Sequence, residues 1–225
     1  SSGRTTLIMD CSAPIKPIPE NSASLASFEV HLAGTPFIVN VGQLSEDRLL
    51  NEAFSQTAAH TALTLDNLNN FCWKNKKYNP VKVLQIGPAT GGMLVKLSHD
   101  GYGESHGIIH DRQIYLTTGG GNLRGSDTLR YTGAPGEIPK TCIVRFHLHP
   151  RIRAATVSNG TVVLKISSQK AGWIFKCNGA NPVLEPSVYF EGKQRLSSQQ
   201  VVLRMHARDI RHVSEKTLKW SFQRQ

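Results

Sequence analysis

The sequence lacks the signals that mark several protein classes. No stretch approaches the roughly 20 apolar residues needed to cross a bilayer, and the opening residues 1–4 lack the apolar region of a secretory signal peptide. The four cysteines, at positions 11, 72, 142 and 177, contain no Cys-x-x-Cys pair. Their spacing therefore supports neither a zinc knuckle nor a redox motif, and it predicts buried free thiols.

Acidic residues are scarce. The chain has 26 Lys and Arg against 16 Asp and Glu, a net charge of +10, which favours an anionic partner such as an acidic polysaccharide, a nucleic acid or a membrane surface. The basic residues are scattered, and the densest cluster, Lys74, Lys76 and Lys77, lacks the repeated spacing of a nucleic-acid-binding helix. We interpret that cluster as a solvated loop and expect neither nucleic acid nor a membrane as the partner.

Helical periodicity is almost absent, and an alternation of apolar and polar residues replaces it. The pattern predicts strands, bounded by Gly and Pro turns, at 5–10, 28–32, 37–41, 61–65, 81–86, 94–97, 154–157, 162–166, 173–176, 187–191, 199–206 and 218–222. Asn159-Gly160 predicts a hairpin turn. A short helix is predicted near 45–54, with Ser45 and Glu46 as its cap. So many strands predict an all-β fold, a large antiparallel sandwich in one domain spanning 1–225.

Several motifs resemble the C-terminal half of heparinase II/III-like proteins from α-proteobacteria. The run Ile143 to Pro150, the turn at Asn159-Gly160, and the segments 172–175, 184–189 and 199–203 match that family in order and spacing. Upstream, His110-Asp111-Arg112, the stretch 123–129 and His60 to Asp66 are similar to further motifs of the family. The ordered set covers nearly the whole chain.

This resemblance implies a multi-sheet sandwich that follows a helical toroid and closes one wall of a substrate cleft. The implied reaction is β-elimination on an acidic, uronate-containing polysaccharide, which requires a neutralised carboxylate, a base and an acid. In the family, the acid/base Tyr and the carboxylate-binding Asn or His sit on the helical half, so we expect this chain alone to hold no catalytic residue and to be inactive. The alternative is a non-catalytic carbohydrate-binding or scaffold module.

The resemblance also bears on metals. His60 corresponds to a histidine that binds a structural zinc ion in metal-containing members. Asn40 stands where those members have Asp, and Ser22 stands about where they have His. One imidazole with two neutral ligands is a poor zinc site, so we expect no bound metal and no cofactor. The opening Ser1 leaves the compartment open between bacterial periplasm and cytoplasm.

The candidate substrate contacts are His60, His110, Arg112 and His147. Three of them, His60, Arg112 and His147, have an alternative role within the sheets. His60 could be hydrogen-bonded within a sheet, and His147 could form a structural pair with His149 on one face of a strand.

Arg112 is suited to a carboxylate or sulfate, yet it could equally bridge strands by pairing with Asp111 or Asp127. His106 would share a face with His110 if residues 107–111 are extended.

Two further patterns carry structural predictions. Arg124 and Asp127 flank Gly125, which predicts a turn there. Trp173 and Phe175 alternate on one strand face, and core packing is favoured over a sugar platform for the two rings.

Overall fold

The structure is a computed structural model that describes residues 1–11, 23–42, 47–71, 81–157, 160–167 and 171–225. Within these ranges the chain forms fifteen strands, three short α-helices and one 3-10 helix at Thr57–Ala59. The strands are β1 Thr5–Met9, β2 Phe28–Leu32, β3 Thr35–Val39, β4 Leu63–Leu65, β5 Lys82–Ala89, β6 Gly92–Tyr102, β7 Ile108–Thr117, β8 Asn122–Tyr131, β9 Thr141–Leu148, β10 Ile152–Val157, β11 Thr161–Ile166, β12 Trp173–Asn178, β13 Pro182–Glu191, β14 Gln194–His206 and β15 Glu215–Arg224; the helices are α1 Arg48–Phe54, α2 Gly103–His106 and α3 Ile210–Val213.

Two antiparallel sheets pack face to face. The seven-stranded sheet has the order β1-β2-β3-β9-β14-β13, with β4 also paired to β9. The eight-stranded sheet has the order β10-β11-β12-β15-β8-β7-β6-β5. The prediction of a large antiparallel sandwich is therefore confirmed.

The core lies between the sheets because alternate residues of each strand point inward. Phe146 of β9 is fully buried and contacts the rings of Phe28, Phe175, Trp220 and Phe222. Aromatic side chains from both sheets thus meet edge to face or tilted, the geometry that their ring charge distribution favours.

The core also settles the role of the Trp-x-Phe pair. Trp173 and Phe175 are 3% and 0% exposed, so their predicted core role is confirmed. Cys142 is a buried free thiol as predicted, whereas Cys11 and Cys177 are free and half-buried.

The predicted strands are present, and most are longer than the pattern indicated. The strand predicted at 94–97, for example, is part of an eleven-residue strand, β6. The predicted hairpins are formed, since β10 pairs with β11 and β11 with β12. The helix predicted near 45–54 begins at Arg48, and Asp47 caps it by accepting hydrogen bonds from the backbone N–H groups of Leu49 and Leu50.

Two local predictions are wrong. No turn occurs at Gly125, because it lies inside β8, where it is paired with Ile114 and Trp220. His106 does not share a strand face with His110, because it ends α2 and Gly107 then adopts a left-handed conformation, with φ of 66°, before β7 begins.

Some predictions concern residues outside the described ranges: Ser22, Ser45, Glu46, Cys72, Lys74, Lys76, Lys77 and Asn159.

Candidate functional site

A polar network is buried in the hydrophobic interior around the carboxylate of Asp127. Oδ1 of Asp127 accepts hydrogen bonds from Nε of Arg112 at 2.6 Å and from Nε2 of His110 at 2.8 Å, and Oδ2 accepts from Nε1 of Trp220 at 2.8 Å. His99 extends the network, with Nε2 lying 2.9 Å from Nδ1 of His110. A buried carboxylate needs several donors of this kind to offset its lost hydration.

The contacts assign the protons of both imidazoles. Asp127 is ionised beside Arg112, so Nε2 of His110 must donate to it and Nδ1 of His110 must accept from Nε2 of His99. Nδ1 of His99 is then an acceptor, and it receives the backbone N–H of Gly101 at 3.2 Å. The result is an unbroken series of hydrogen bonds that runs in one direction through two neutral rings.

The pKa directions agree with this assignment. Burial lowers the pKa of His110, and it lowers that of His99 still further, so both rings stay neutral. Burial alone would raise the pKa of Asp127, but the charge of Arg112 and the hydrogen bond from His110 together hold it well below its usual range. The network therefore carries one cation and one anion.

Arg112 also connects the two sheets. Its Nη1 donates to the carbonyl oxygens of Ala26 and Thr61, both at 2.8 Å, and these residues lie directly before β2 and near β4 of the opposite sheet. Its guanidinium lies 5.4 Å from the ring centroid of Phe28. The contacts and the burial favour a structural role in cross-linking the layers.

His147 lies on the outer face of the seven-stranded sheet beneath the segment that follows α1. Its Nδ1 accepts from the hydroxyl of Ser187 at 2.9 Å, and its Nε2 donates to the carbonyl of Ala58 at 3.0 Å. Burial lowers its pKa to about 3. His149, its expected partner, instead packs against the ring of Tyr189, with centroids 4.9 Å apart.

His60 is buried, yet neither ring nitrogen has a hydrogen-bond partner within the described part of the chain. Burial lowers its pKa to about 4, and the nearby charge of Asp10 opposes that shift only in part. His60 is also close enough to His147 to help lower the pKa of that ring. Both imidazoles are therefore neutral at neutral pH.

The zinc ion that the resemblance implies does not fit the donors around His60. Oδ1 of Asn40 already accepts a hydrogen bond from the backbone N–H of Thr61 at 2.9 Å. The amide that replaces the family's Asp therefore holds the backbone at Thr61 in place instead of offering a ligand to a metal. Among the described residues there is no group of three or more His, Cys, Asp or Glu that could hold a metal. Ser22 lies outside these residues, and the absence of a bound metal stays a prediction.

The structure brings the four candidate contacts into two neighbouring groups. Arg112 and His110 share one network, His60 and His147 form the other, and the Thr61 carbonyl links them. All four side chains are buried, at 1% to 7% exposure. Contact with a substrate stays a prediction for each.

Sequence reasoning did not single out His99 or Trp220. Their roles depend on which strands are neighbours: His99 lies opposite His110, and Trp220 lies on the strand next to Asp127, two residues from Leu218, which is directly opposite Asp127. One signal was available for His99. It lies two residues after Leu97, so it continues the apolar–polar alternation of that strand on the inward-facing side.

The sequence profile of one family, described as "Heparinase II/III-like, C-terminal", matches residues 1–221. The chain belongs to the heparinase II/III-like family. Among curated proteins, this heparinase II/III-like chain is 27% identical over 226 residues to FtsZ-localized protein C of Caulobacter vibrioides, covering 92% of this chain and 39% of the relative.

Solved structures show the same fold in lyases. The heparinase II/III-like chain matches the heparan sulfate lyase HepC of Pedobacter heparinus with a TM-score of 0.73 and 14% identity, over 98% of this chain and 33% of that one. It matches a heparinase III with a TM-score of 0.71 and 13% identity, over 100% and 35% of the two chains. The chain thus spans between a third and two fifths of the length of these relatives.

In the described ranges, no helix has the length and apolar character required to cross a membrane.

Proposed function

We propose that this domain belongs to a polysaccharide lyase that cleaves acidic, uronate-containing polysaccharide by β-elimination, and that it forms one wall of the substrate cleft beside a helical toroid. The observation that carries the proposal is the family match over residues 1–221, joined to the shared fold with HepC. The net charge of +10 favours a polyanionic substrate.

The interior geometry indicates what the domain would contribute. Asp127 and Arg112 hold the two layers in register, and the imidazoles in the described site are neutral and buried. Such groups cannot exchange protons with solvent readily. The acid and base of the elimination would then come from the toroid, and the sandwich would bind and orient the polysaccharide.

The test is an elimination assay on the full-length protein that carries this chain. Elimination leaves a 4,5-unsaturated uronate that absorbs in the near ultraviolet, so absorbance should rise with heparan sulfate, hyaluronan or alginate. The 225-residue chain alone should give no increase. A full-length protein that is inert on all of these polysaccharides, or elimination by the isolated chain, would contradict the proposal.

One specific observation favours a second function. Asn40 stands where metal-containing members of the family have a zinc-binding Asp, and its Oδ1 already accepts a hydrogen bond from the backbone N–H of Thr61. A relative at 27% identity is, by its name, localised by FtsZ. On this alternative, the domain is a non-catalytic glycan-binding or scaffold module of a protein that FtsZ localises. A fluorescent fusion that follows FtsZ, together with glycan binding without turnover, would support it over the lyase.

A further inference from the structure

An open groove of about 790 Å³ lies on the outer face of the eight-stranded sheet. This face points away from the seven-stranded sheet and therefore away from the buried network. In β8, for example, Leu123 and Asp127 are buried between the layers, whereas Arg124 points outward and is exposed. The groove is built from outward side chains of neighbouring strands.

Strand register organises the groove into two rows of side chains. The first row runs across β12, β15, β8 and β7 through directly opposed residues, namely Lys176, Ser221, Arg124 and Tyr115. The second row lies two residues along the same strands and consists of Asn178, Lys219, Ser126 and Gln113. With adjacent strands about 4.8 Å apart, Lys176 and Arg124 have backbones about 10 Å apart across the sheet.

The charges that the described residues bring to the groove are of one sign. Their contribution to the lining contains three cations, Arg124, Lys176 and Lys219, and no Asp or Glu. Within the described part of the chain, none of the three forms a salt bridge, whereas the outward Arg130 further along β8 pairs with Asp111. Exposed cations with no acidic neighbour repel one another, and an anionic ligand would relieve that repulsion.

One ring completes the surface. The guanidinium of Arg124 lies 5.7 Å from the ring centroid of Tyr115, and the Tyr115 hydroxyl donates to the carbonyl of Thr90 at 2.8 Å. These contacts hold both side chains in place, so that little conformational entropy is lost when a ligand binds. Gly125 lines the groove between the two rows through its backbone, because its side-chain position points inward, towards Trp220.

We propose that this groove is a binding site for a segment of acidic polysaccharide, distinct from the interior residues around Asp127 and His60. Arg124, Lys176 and Lys219 bind the carboxylates or sulfates, and Gln113, Ser126, Asn178 and Ser221 hydrogen-bond the hydroxyls. The assignment of ligand class rests on the proposed function, whereas the location rests on the groove alone. The site would hold a bound chain on the outer face of the eight-stranded sheet.

The lining favours a glycan over a single-stranded nucleic acid. Proteins that bind single strands stack successive bases on several exposed aromatic rings. Among the described residues the groove offers one partly exposed ring, Tyr115, and Arg124 already lies against it. Trp220 also borders the groove, yet its indole packs on Phe28 between the two sheets and donates its N–H to Asp127. Short amide and hydroxyl side chains suit the many hydroxyls of a sugar.

Isothermal titration calorimetry on the 225-residue chain tests the site. The probes are a heparin hexasaccharide, a hyaluronan hexasaccharide, a neutral dextran oligosaccharide of the same length and a 12-nucleotide single-stranded DNA. We expect binding of the two acidic sugars and none of dextran. The variant Arg124→Ser/Lys176→Ser/Lys219→Ser should weaken sugar binding about tenfold or more, because three exposed ion pairs are lost together.

The matched control removes the same charge from exposed cations that flank or belong to strands of the other sheet: Lys140→Ser/Arg195→Ser/Arg208→Ser. It should bind the acidic sugars as the parent does. The single change Lys176→Glu gives a second reading if the triple variant unfolds, and circular dichroism checks the fold of each variant. Equal loss in the groove and control variants, or no loss in either, overturns the site.

The outcomes separate the site from the function on which it rests. A parent chain that binds neither acidic hexasaccharide contradicts the proposed function together with the site. A parent that binds them, with an unaffected groove variant, contradicts the site alone. Tighter binding of the DNA through the same three cations would overturn the assignment of a glycan ligand.

Discussion

Arg112 and Asp127 face each other in direct register across β7 and β8 and form a fully buried ion pair, with Nε and Oδ1 2.6 Å apart. The pair is not isolated, since the carboxylate also accepts from His110 and Trp220 and the guanidinium donates to two carbonyls of the other sheet. Removing one partner would leave the other charge buried without compensation, which costs far more than the pair contributes.

Asp127→Asn should therefore destabilise the fold strongly. The free energy of unfolding, measured in urea, is expected to fall by about 3–5 kcal/mol, because Arg112 stays charged in the apolar interior. Asp111→Asn is the matched control. Its ion pair with Arg130 is partly exposed and should be worth less than about 1 kcal/mol. Similar losses in the two variants would contradict the central role of Asp127.

Stability should decrease as the pH falls below 6.5. Burial lowers the pKa of His60 from 6.5 to about 4 and that of His147 to about 3, so in that range the unfolded chain binds protons that the folded chain does not. Their contribution is fully present above the unfolded pKa and is lost as the pH falls towards 4 and 3, at up to about 1.4 kcal/mol per pH unit for each histidine.

Urea unfolding at pH 7, 6, 5 and 4 measures this slope. His60→Leu should reduce it by one proton. A free energy of unfolding that is flat from pH 7 to pH 5 would contradict the neutral, buried state of these rings.

Gly125→Ala should be destabilising although glycine is a poor strand residue. A Cβ at this position would lie 2.1 Å from Cζ2 of Trp220, so the indole and its hydrogen bond to Asp127 would have to move. We expect a loss of about 1–3 kcal/mol in unfolding free energy, with a changed near-ultraviolet circular dichroism spectrum from Trp220.

Gly121→Ala is the matched control for that change. It immediately precedes the same strand, and nothing lies within 4 Å of a Cβ built there. Its stability should stay within about 0.5 kcal/mol of the parent. A tolerated alanine at Gly125 would show that Trp220 can shift without cost.

His60 and His147 should respond differently to replacement by leucine. His60→Leu removes two buried nitrogens that have no partner among the described residues, so stability should be unchanged or increased. His147→Leu leaves the Ser187 hydroxyl and the Ala58 carbonyl without their partner and should cost about 1–3 kcal/mol. A large loss for His60→Leu would show that its nitrogens are engaged.

His60→Leu could stabilise the chain and at the same time lower turnover by the full-length protein. In that case His60 has a functional role, and the protein keeps it although it makes the fold less stable. Unchanged turnover would instead leave it as a buried residue without a functional role.

Much of the architecture was predictable because strand alternation and turn residues act over a few neighbours. The alternation from Phe28 to Leu32 and the hairpins after β10 and β11 are local signals, and the structure has the strands where they indicated. The turn predicted at Gly125 was wrong because the reason for the glycine lies far away in the sequence. Gly125 makes room for Trp220, which comes 95 residues later in the chain.

The amino-acid sequence was enough to establish the fold class and the family, since both depend on residue patterns along the chain. Only the tertiary structure decided which side chains meet in the buried network and in the outer groove. His99 meets His110, and Lys176 aligns with Arg124 through Ser221, only because particular strands pair in a particular register. That register results from the packing of two whole sheets, to which residues far apart in sequence contribute together.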